Sequence, residues 1–162
     1  MAISAYAAYD LGSGDALSLQ ACVEVYPRPA GWICEKSLFW FHPTAAEVEE
    51  MNRSAGALIV LSVSDKEFGR RLLKHFLGAG LDINARDQRT QSKWTALHGA
   101  AAGPNVEEVK ILLAHGADPS IKDAAGMTPL DRAKRAQEKF PSPRQVEVVR
   151  LLEQAMQPAS KP

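Results

Sequence analysis

The sequence carries no surplus of either charge: its 162 residues include 19 Lys and Arg against 19 Asp and Glu. A chain so balanced lacks the cationic footprint that holds nucleic-acid phosphates, so no nucleic-acid partner is expected. Long apolar runs are missing too. The longest, Ala57 to Leu61, suits a buried helix and falls far short of the roughly 18 residues needed to cross a bilayer. The start, Met1-Ala2-Ile3-Ser4-Ala5-Tyr6, has neither the basic stretch nor the continuous apolar core of a secretory leader. Together these absences predict no membrane partner and a cytoplasmic location. Cysteine is scarce, with only Cys22 and Cys34. Neither lies in a CxxC and no Cys/His cluster has zinc spacing, so no metal site is expected. A bond between the two is left open by their positions; the expected state is two free thiols in a reducing compartment.

The signatures of catalysis are equally absent. There is no GxSxG, HExxH, Walker loop or GxGxxG, and no persuasive acid/base pair of carboxylates. Glu49 and Glu50 point apart on a helix, and Glu107 and Glu108 sit in a first helical turn, where the dipole favours negative charge. His75 and His115 fall late in helices, where they can meet the last carbonyls, and His42 before Pro43 marks a turn. No enzyme activity and no cofactor are therefore expected. Two other readings have some footing. One is an unrecognised enzyme site in residues 1–54. The other is nucleic-acid binding through the basic cluster in 132–139, whose Arg132, Lys134, Arg135 and Lys139 otherwise read as a solvated helix end or a patch for an acidic partner.

What the chain does contain is an internal repeat. Thr95-Ala96-Leu97-His98-Gly99-Ala100-Ala101 returns in weaker form as Thr128-Pro129-Leu130-Asp131-Arg132-Ala133, and the two threonines are 33 residues apart. Between them, Val106 to Asp118 reads as a helix ending at Gly116. Leu72 to Asn84 reads as the same helix and turn one unit earlier, ending at Gly80. The TxLH motif, the 33-residue period and the glycine stop resemble the ankyrin-repeat family, with decreasing clarity toward both ends of residues 55–155. The resemblance implies an all-α solenoid of about three to four stacked helix-turn-helix units with a divergent N-terminal cap. Its expected division is a cap with an aromatic insert over 1–54, repeats over 55–156 and a disordered tail over 157–162.

Local patterns sharpen this expectation. Thr95 and Thr128 read as N-caps, with His98 and Asp131 as reciprocal partners. Ser64 with Glu67, Asn105 with Glu108, and Ser142 with Pro143 and Gln145 read as starts of the second helices. The buried stripes should be Leu72, Leu73, Phe76 and Leu77; Val106, Val109, Leu112 and Leu113; and Val148, Val149, Leu152 and Met156. Gly14 to Tyr26 reads as a helix, with Ala2 to Leu11 as its shorter partner. Thr44 with Glu47 opens a further helix ending near Asn52, with no clear place in the repeat. Pro27 to Pro43 is too aromatic for a solvated linker; it should fold back over the stack or form an aromatic contact surface.

The resemblance also implies where a partner docks, on the concave face made by the fingers and first helices. The first finger carries Arg86, Arg89, Lys93 and Trp94, and the second ends at Met127; donors beside an aromatic anchor are typical of binding hot spots. Trp32 and Trp40 are candidates for a second patch. The expected function is binding of one other protein, with inhibition of a toxin or enzyme favoured by analogy, by a chain that is monomeric when free.

Overall fold

Most helix starts among the described residues are set by side chains that accept the first free backbone N–H groups. The computed structural model describes residues 15–157, and among them it contains nine helices and no strand beyond an isolated antiparallel bridge between Arg86 and Thr95. They are α1 Ala16–Val25, α2 Ala30–Phe41, α3 Ala45–Arg53, α4 Ala57–Leu61, α5 Lys66–Gly78, α6 Ala96–Ala102, α7 Val106–Ala114, α8 Pro129–Lys139 and α9 Pro143–Met156. Three of these open with both halves of a capping box: Thr44 with Glu47 on α3, Thr95 with His98 on α6, and Thr128 with Asp131 on α8.

The second helices begin differently from expectation. Asp65, not Ser64, caps α5, because its carboxylate accepts from both Glu67 N and Phe68 N. The N–H of Ser64 turns to the Glu24 carboxylate instead. Asn105 occupies the cap position of α7 without a side-chain bond to the helix. Its presumed partner Glu108 is drawn across to Lys66 Nζ at 2.7 Å. Ser142 does cap α9 through Gln145 N at 3.1 Å. The Gln145 side chain does not return to the cap: its Nε2 donates to Ala101 O at 2.9 Å and Ala133 O at 3.2 Å.

The helices pair as α4/α5, α6/α7 and α8/α9, with first helices α4, α6 and α8 in one row. Of the second helices, α9 packs on its own partner α8 and on α7 of the preceding unit, and α5 is tied to α7 through Lys66–Glu108 and Arg70–Glu107. Leu72, Leu73, Phe76, Val109, Leu112, Val148 and Leu152 are fully buried, as their helical spacing predicts. Leu77, Val106, Leu113 and Val149 line the margin of that core. Met156, at the end of the last helix, is 41% exposed and leaves the predicted stripe. Ala100 and Ala101 are fully buried, and a Cβ on the neighbouring Gly99 would lie 2.6 Å from Leu58 Cδ2. Small residues on α6 thus let α4 approach. The stops after α5 and α7 are Gly80 at φ +104° and Gly116 at φ +89°, a conformation cheap only for glycine.

The N-terminal half departs further from expectation. Residues 30–41 form a regular helix, α2, which packs on α1 as a hairpin. Its inner face buries Cys34 and Leu38, and Phe39 reaches Phe68 of α5 with ring centroids 6.2 Å apart. Trp32, Trp40 and Phe41 lie on the outside. The hairpin sets Cys22 and Cys34 face to face with Cα atoms 6.0 Å apart, and the two form a disulfide, correcting the expectation of free thiols. The predicted partner helix at Ala2 to Leu11 lies outside the described residues, as do residues 158–162 of the predicted tail.

Candidate partner-binding surface

The two fingers are built by short polar side chains that hold their own backbone. In the first, Asp87 N donates to Trp94 O at 2.8 Å, closing a hairpin. The Asp87 carboxylate accepts from Arg89 N at 2.9 Å and pairs with the Arg89 guanidinium at 3.2 Å, which holds its carboxyl below the usual range. Gln88 N donates to Arg53 O at 2.7 Å and fixes this finger to the end of α3. In the second, Gly126 N donates to Asp123 O at 3.0 Å, the bond of a type I turn. The Asp123 carboxylate accepts from Ala125 N and Met127 N and pairs with Arg132. Burial raises the pKa of Asp123, but the bonds from Met127 N, Arg132 and Ala125 N outweigh it and the net shift is downward.

The fingers are joined to each other and to the first helices. Ala124 N donates to Ser92 O at 3.0 Å. The Arg132 guanidinium of α8 lies 5.2 Å over the Trp94 ring, a cation–π contact that braces the half-buried indole. His98, fully buried on α6, binds both neighbours. Its Nδ1 accepts from Thr95 N at 3.2 Å and its Nε2 lies 3.0 Å from Met127 O. An imidazole that accepts at Nδ1 and donates at Nε2 is neutral, and burial lowers its pKa accordingly.

Residues 61–160 match the family model of ankyrin repeats (3 copies). The chain belongs to the ankyrin-repeat family. A 97-residue stretch is 38% identical to an L-asparaginase of Dirofilaria immitis, covering 53% of this chain and 16% of that protein. A 62-residue stretch is 44% identical to the ADP-ribosylation factor GTPase-activating protein AGD2 of Arabidopsis thaliana, covering 38% and 8%. A putative ankyrin repeat protein of Acanthamoeba polyphaga mimivirus is 42% identical over 65 residues, covering 40% and 8%. The chain therefore spans only a small part of the length of these curated relatives. Ankyrin repeats make it a protein–protein interaction module, and repeats of this family are generally non-catalytic. No described helix is long and apolar enough to cross a membrane.

Against this ankyrin frame the predicted residues fall into two groups. Arg86 and Arg89 are exposed on the first finger, while Lys93, Trp94 and Met127 are half-buried where the fingers meet the first helices. Trp32, 46% exposed, and Trp40, 71% exposed, belong to α2, a different element that reaches the repeats through Phe39. Of the basic cluster, Arg132 is engaged by Asp123 and Trp94, Lys134 pairs with Glu153 at 2.8 Å, and Arg135 Nη1 lies 3.7 Å from Met127 Sδ. A freely solvated helix end is thus corrected for the first two. Sequence reasoning missed that Lys93 sits at φ +53°, in the place Gly126 occupies at φ +74° one 33-residue period later. The period itself carried that signal.

Proposed function

We propose that this chain is a non-catalytic binding protein that grips one protein partner through the fingers and first helices. Arg86, Arg89, Lys93, Trp94 and Met127 are the residues proposed to meet it, and Trp32 and Trp40 a second aromatic patch for a larger partner. The observation that carries this reading is the pinned ridge itself. Two fingers joined through Ser92 and Ala124, with Trp94 held under Arg132, form a rigid surface whose outward groups lose little freedom on binding. An interface of about 800 Å² per partner suits so short an array. In this proposal residues 1–54 cap the repeats, residues 55–156 carry them, and the free chain is a monomer. By analogy with small stand-alone ankyrin proteins, binding inhibits or neutralises a toxin or an enzyme. A cytoplasmic location requires that Cys22 and Cys34 be reduced there, since such bonds are rare in that compartment. Thiol alkylation of the native protein before and after reductant decides the point.

Co-purification with mass spectrometry, repeated with Trp94→Ala and Arg89→Ala, tests the binding face. One specific partner recovered by the parent chain and lost by both variants, with unchanged circular dichroism, is the expected result. A partner retained by both variants refutes the assignment.

A further inference from the structure

The finger face is cationic in a chain that is neutral as a whole. Residues 86–94, 122–127 and 129–139 hold eight Lys and Arg against four Asp and Glu, while the full chain holds 19 of each. Three of its four acids, all but Glu138 near the end of α8, are already committed. Asp87 is held by Arg89, Asp123 is buried under Arg132 and two backbone N–H groups, and Asp131 closes the cap of α8 on Thr128. Of the eight cations, Arg89, Arg132 and Lys134 are paired with carboxylates and the other five are not. Among the described residues, exposed Arg86, Lys122 and Arg135 make no ion pair with a carboxylate, and Lys93 Nζ reaches only Gln88 oxygens. These four belong to the two joined fingers and to the first helix behind them. Lys93 and Arg86 flank the first finger, Lys122 enters the second, and Arg135 touches the Met127 that ends it.

We infer that the surface this ridge receives is an acidic stretch of a protein, with Asp and Glu carboxylates spaced to meet Arg86, Lys93, Lys122 and Arg135. Complementary charge favours encounter and fixes register, and an unmatched cation row disfavours basic surfaces. A protein rather than a nucleic acid fits the small number of free cations and the half-buried Trp94 and Met127 between them, since duplex binding draws on a denser set of phosphate contacts. The inference rests on the finger-face reading and adds the chemistry of the partner.

Fluorescence anisotropy with three labelled probes tests it on the full chain: an Asp/Glu-rich peptide containing one Leu and one Phe, the same peptide with Asn and Gln in place of the acids, and a single-stranded DNA oligonucleotide. Expected is binding of the acidic peptide that weakens with added salt, falls about threefold in Arg86→Gln or Lys122→Gln and about tenfold in the double variant, and is unchanged in Arg144→Gln on α9. Equal binding of the amide peptide, with loss in Trp94→Ala, overturns the acidic partner but leaves the finger face standing. Acidic-peptide binding indifferent to Arg86, Lys122 and Trp94 alike overturns both. No binding of the acidic peptide, or tighter binding of the DNA, overturns the inference, and the co-purification experiment then judges the face on its own.

Discussion

Replacing His98 with Ala removes one ring and orphans two backbone groups. Thr95 N–H loses its acceptor at Nδ1, and Met127 C=O loses its donor at Nε2. Thr95 is 2% exposed and His98 itself is fully buried, so water does not readily replace either bond. Each buried group left unsatisfied costs about 1–3 kcal/mol, and the loss of packed ring atoms adds to that. A total of about 4 kcal/mol is a large share of the roughly 5–15 kcal/mol that holds a domain together. For a chain of this size it lowers the melting temperature by about 8–16 °C. Two further variants separate the bonds. Asn at 98 keeps an acceptor near Nδ1 but not the reach to Met127, and Gln keeps the reach but not the short acceptor, so each should recover part of the loss. pH gives an independent readout. Because burial lowers the pKa of folded His98 from 6.5, the unfolded chain takes up the proton first as pH falls. The His98 contribution is therefore complete above about 6.5 and declines as pH falls below it, a decline that His98→Ala should lack. Urea unfolding followed by circular dichroism between pH 5 and 8 measures both effects. A loss under about 1 kcal/mol for Ala, or an identical pH slope in both proteins, would refute the reasoning.

Lys93→Gly should raise the unfolding midpoint, since an L-residue held at φ +53° costs about 1–2 kcal/mol and glycine does not, less its greater freedom when unfolded; thermal melting should show a gain of about 1–3 °C. Gln145→Leu leaves Ala101 O and Ala133 O without their donor and should destabilise by about 2 kcal/mol in urea titration. Burial raises the pKa of Glu47, but bonds from Thr44 N, His42, Ala16 N and the Thr44 hydroxyl outweigh it and bring the value to about 2. Its contribution is thus complete above 4.5 and lost as pH falls toward about 2, and acid unfolding of Glu47→Gln should lack that component.

The repeat region was legible because its physics is local and periodic. A threonine with a partner three residues on satisfies two backbone donors in any context, so Thr44, Thr95 and Thr128 could be read one by one. Fully buried stripes at helical spacing were equally plain. What stayed hidden involves choices between distant partners. Glu108 was read as half of a local cap but answers Lys66, 42 residues away, because a cation across the interface outcompetes an uncharged cap. Gln145 likewise leaves its cap for two buried carbonyls. Arg132 was read as part of a solvated helix end or a patch for an acidic partner, but it pairs with the buried Asp123 of the second finger and lies over Trp94 of the first. The helix α2 was obscured by its composition: Trp32, Trp40 and Phe41 face outward, so the apolar periodicity that marks an amphipathic helix is lost although Cys34 and Leu38 face inward.

The same distant bonds show how the stack extends past the segment in which its motif is visible. Asp82 and Asp118 each stand two residues after a positive-φ glycine, and each accepts at Oδ1 from the N–H two residues on, Asn84 N and Ser120 N at 2.8 Å. These are equivalent turns of successive units. Asp118 N donates to Asn84 Oδ1 at 2.8 Å, linking a turn to the one before it. Asp82 N makes the corresponding bond to Asn52 Oδ1 at 2.7 Å, and Asn52 Nδ2 returns to Gly80 O at 3.2 Å. Asn52 therefore does for its neighbour what Asn84 does for the next unit, although it sits at the end of a helix and precedes the matched region that begins at residue 61. The first helices repeat the pattern. A short helix leaves its last carbonyls without internal partners. Gln145 Nε2 takes Ala101 O on α6, and Gln20 Nε2 adds a second bond at 3.2 Å to Ile59 O on α4, which also accepts from Ser62 N. A carbonyl near a helix end with a lone pair to spare accepts a donor of the right reach, whether or not the surrounding sequence keeps the family motif. That is why α1 and α3, which lack the repeat motif, still connect to the stack through bonds of the same kind that hold its clearest repeats together.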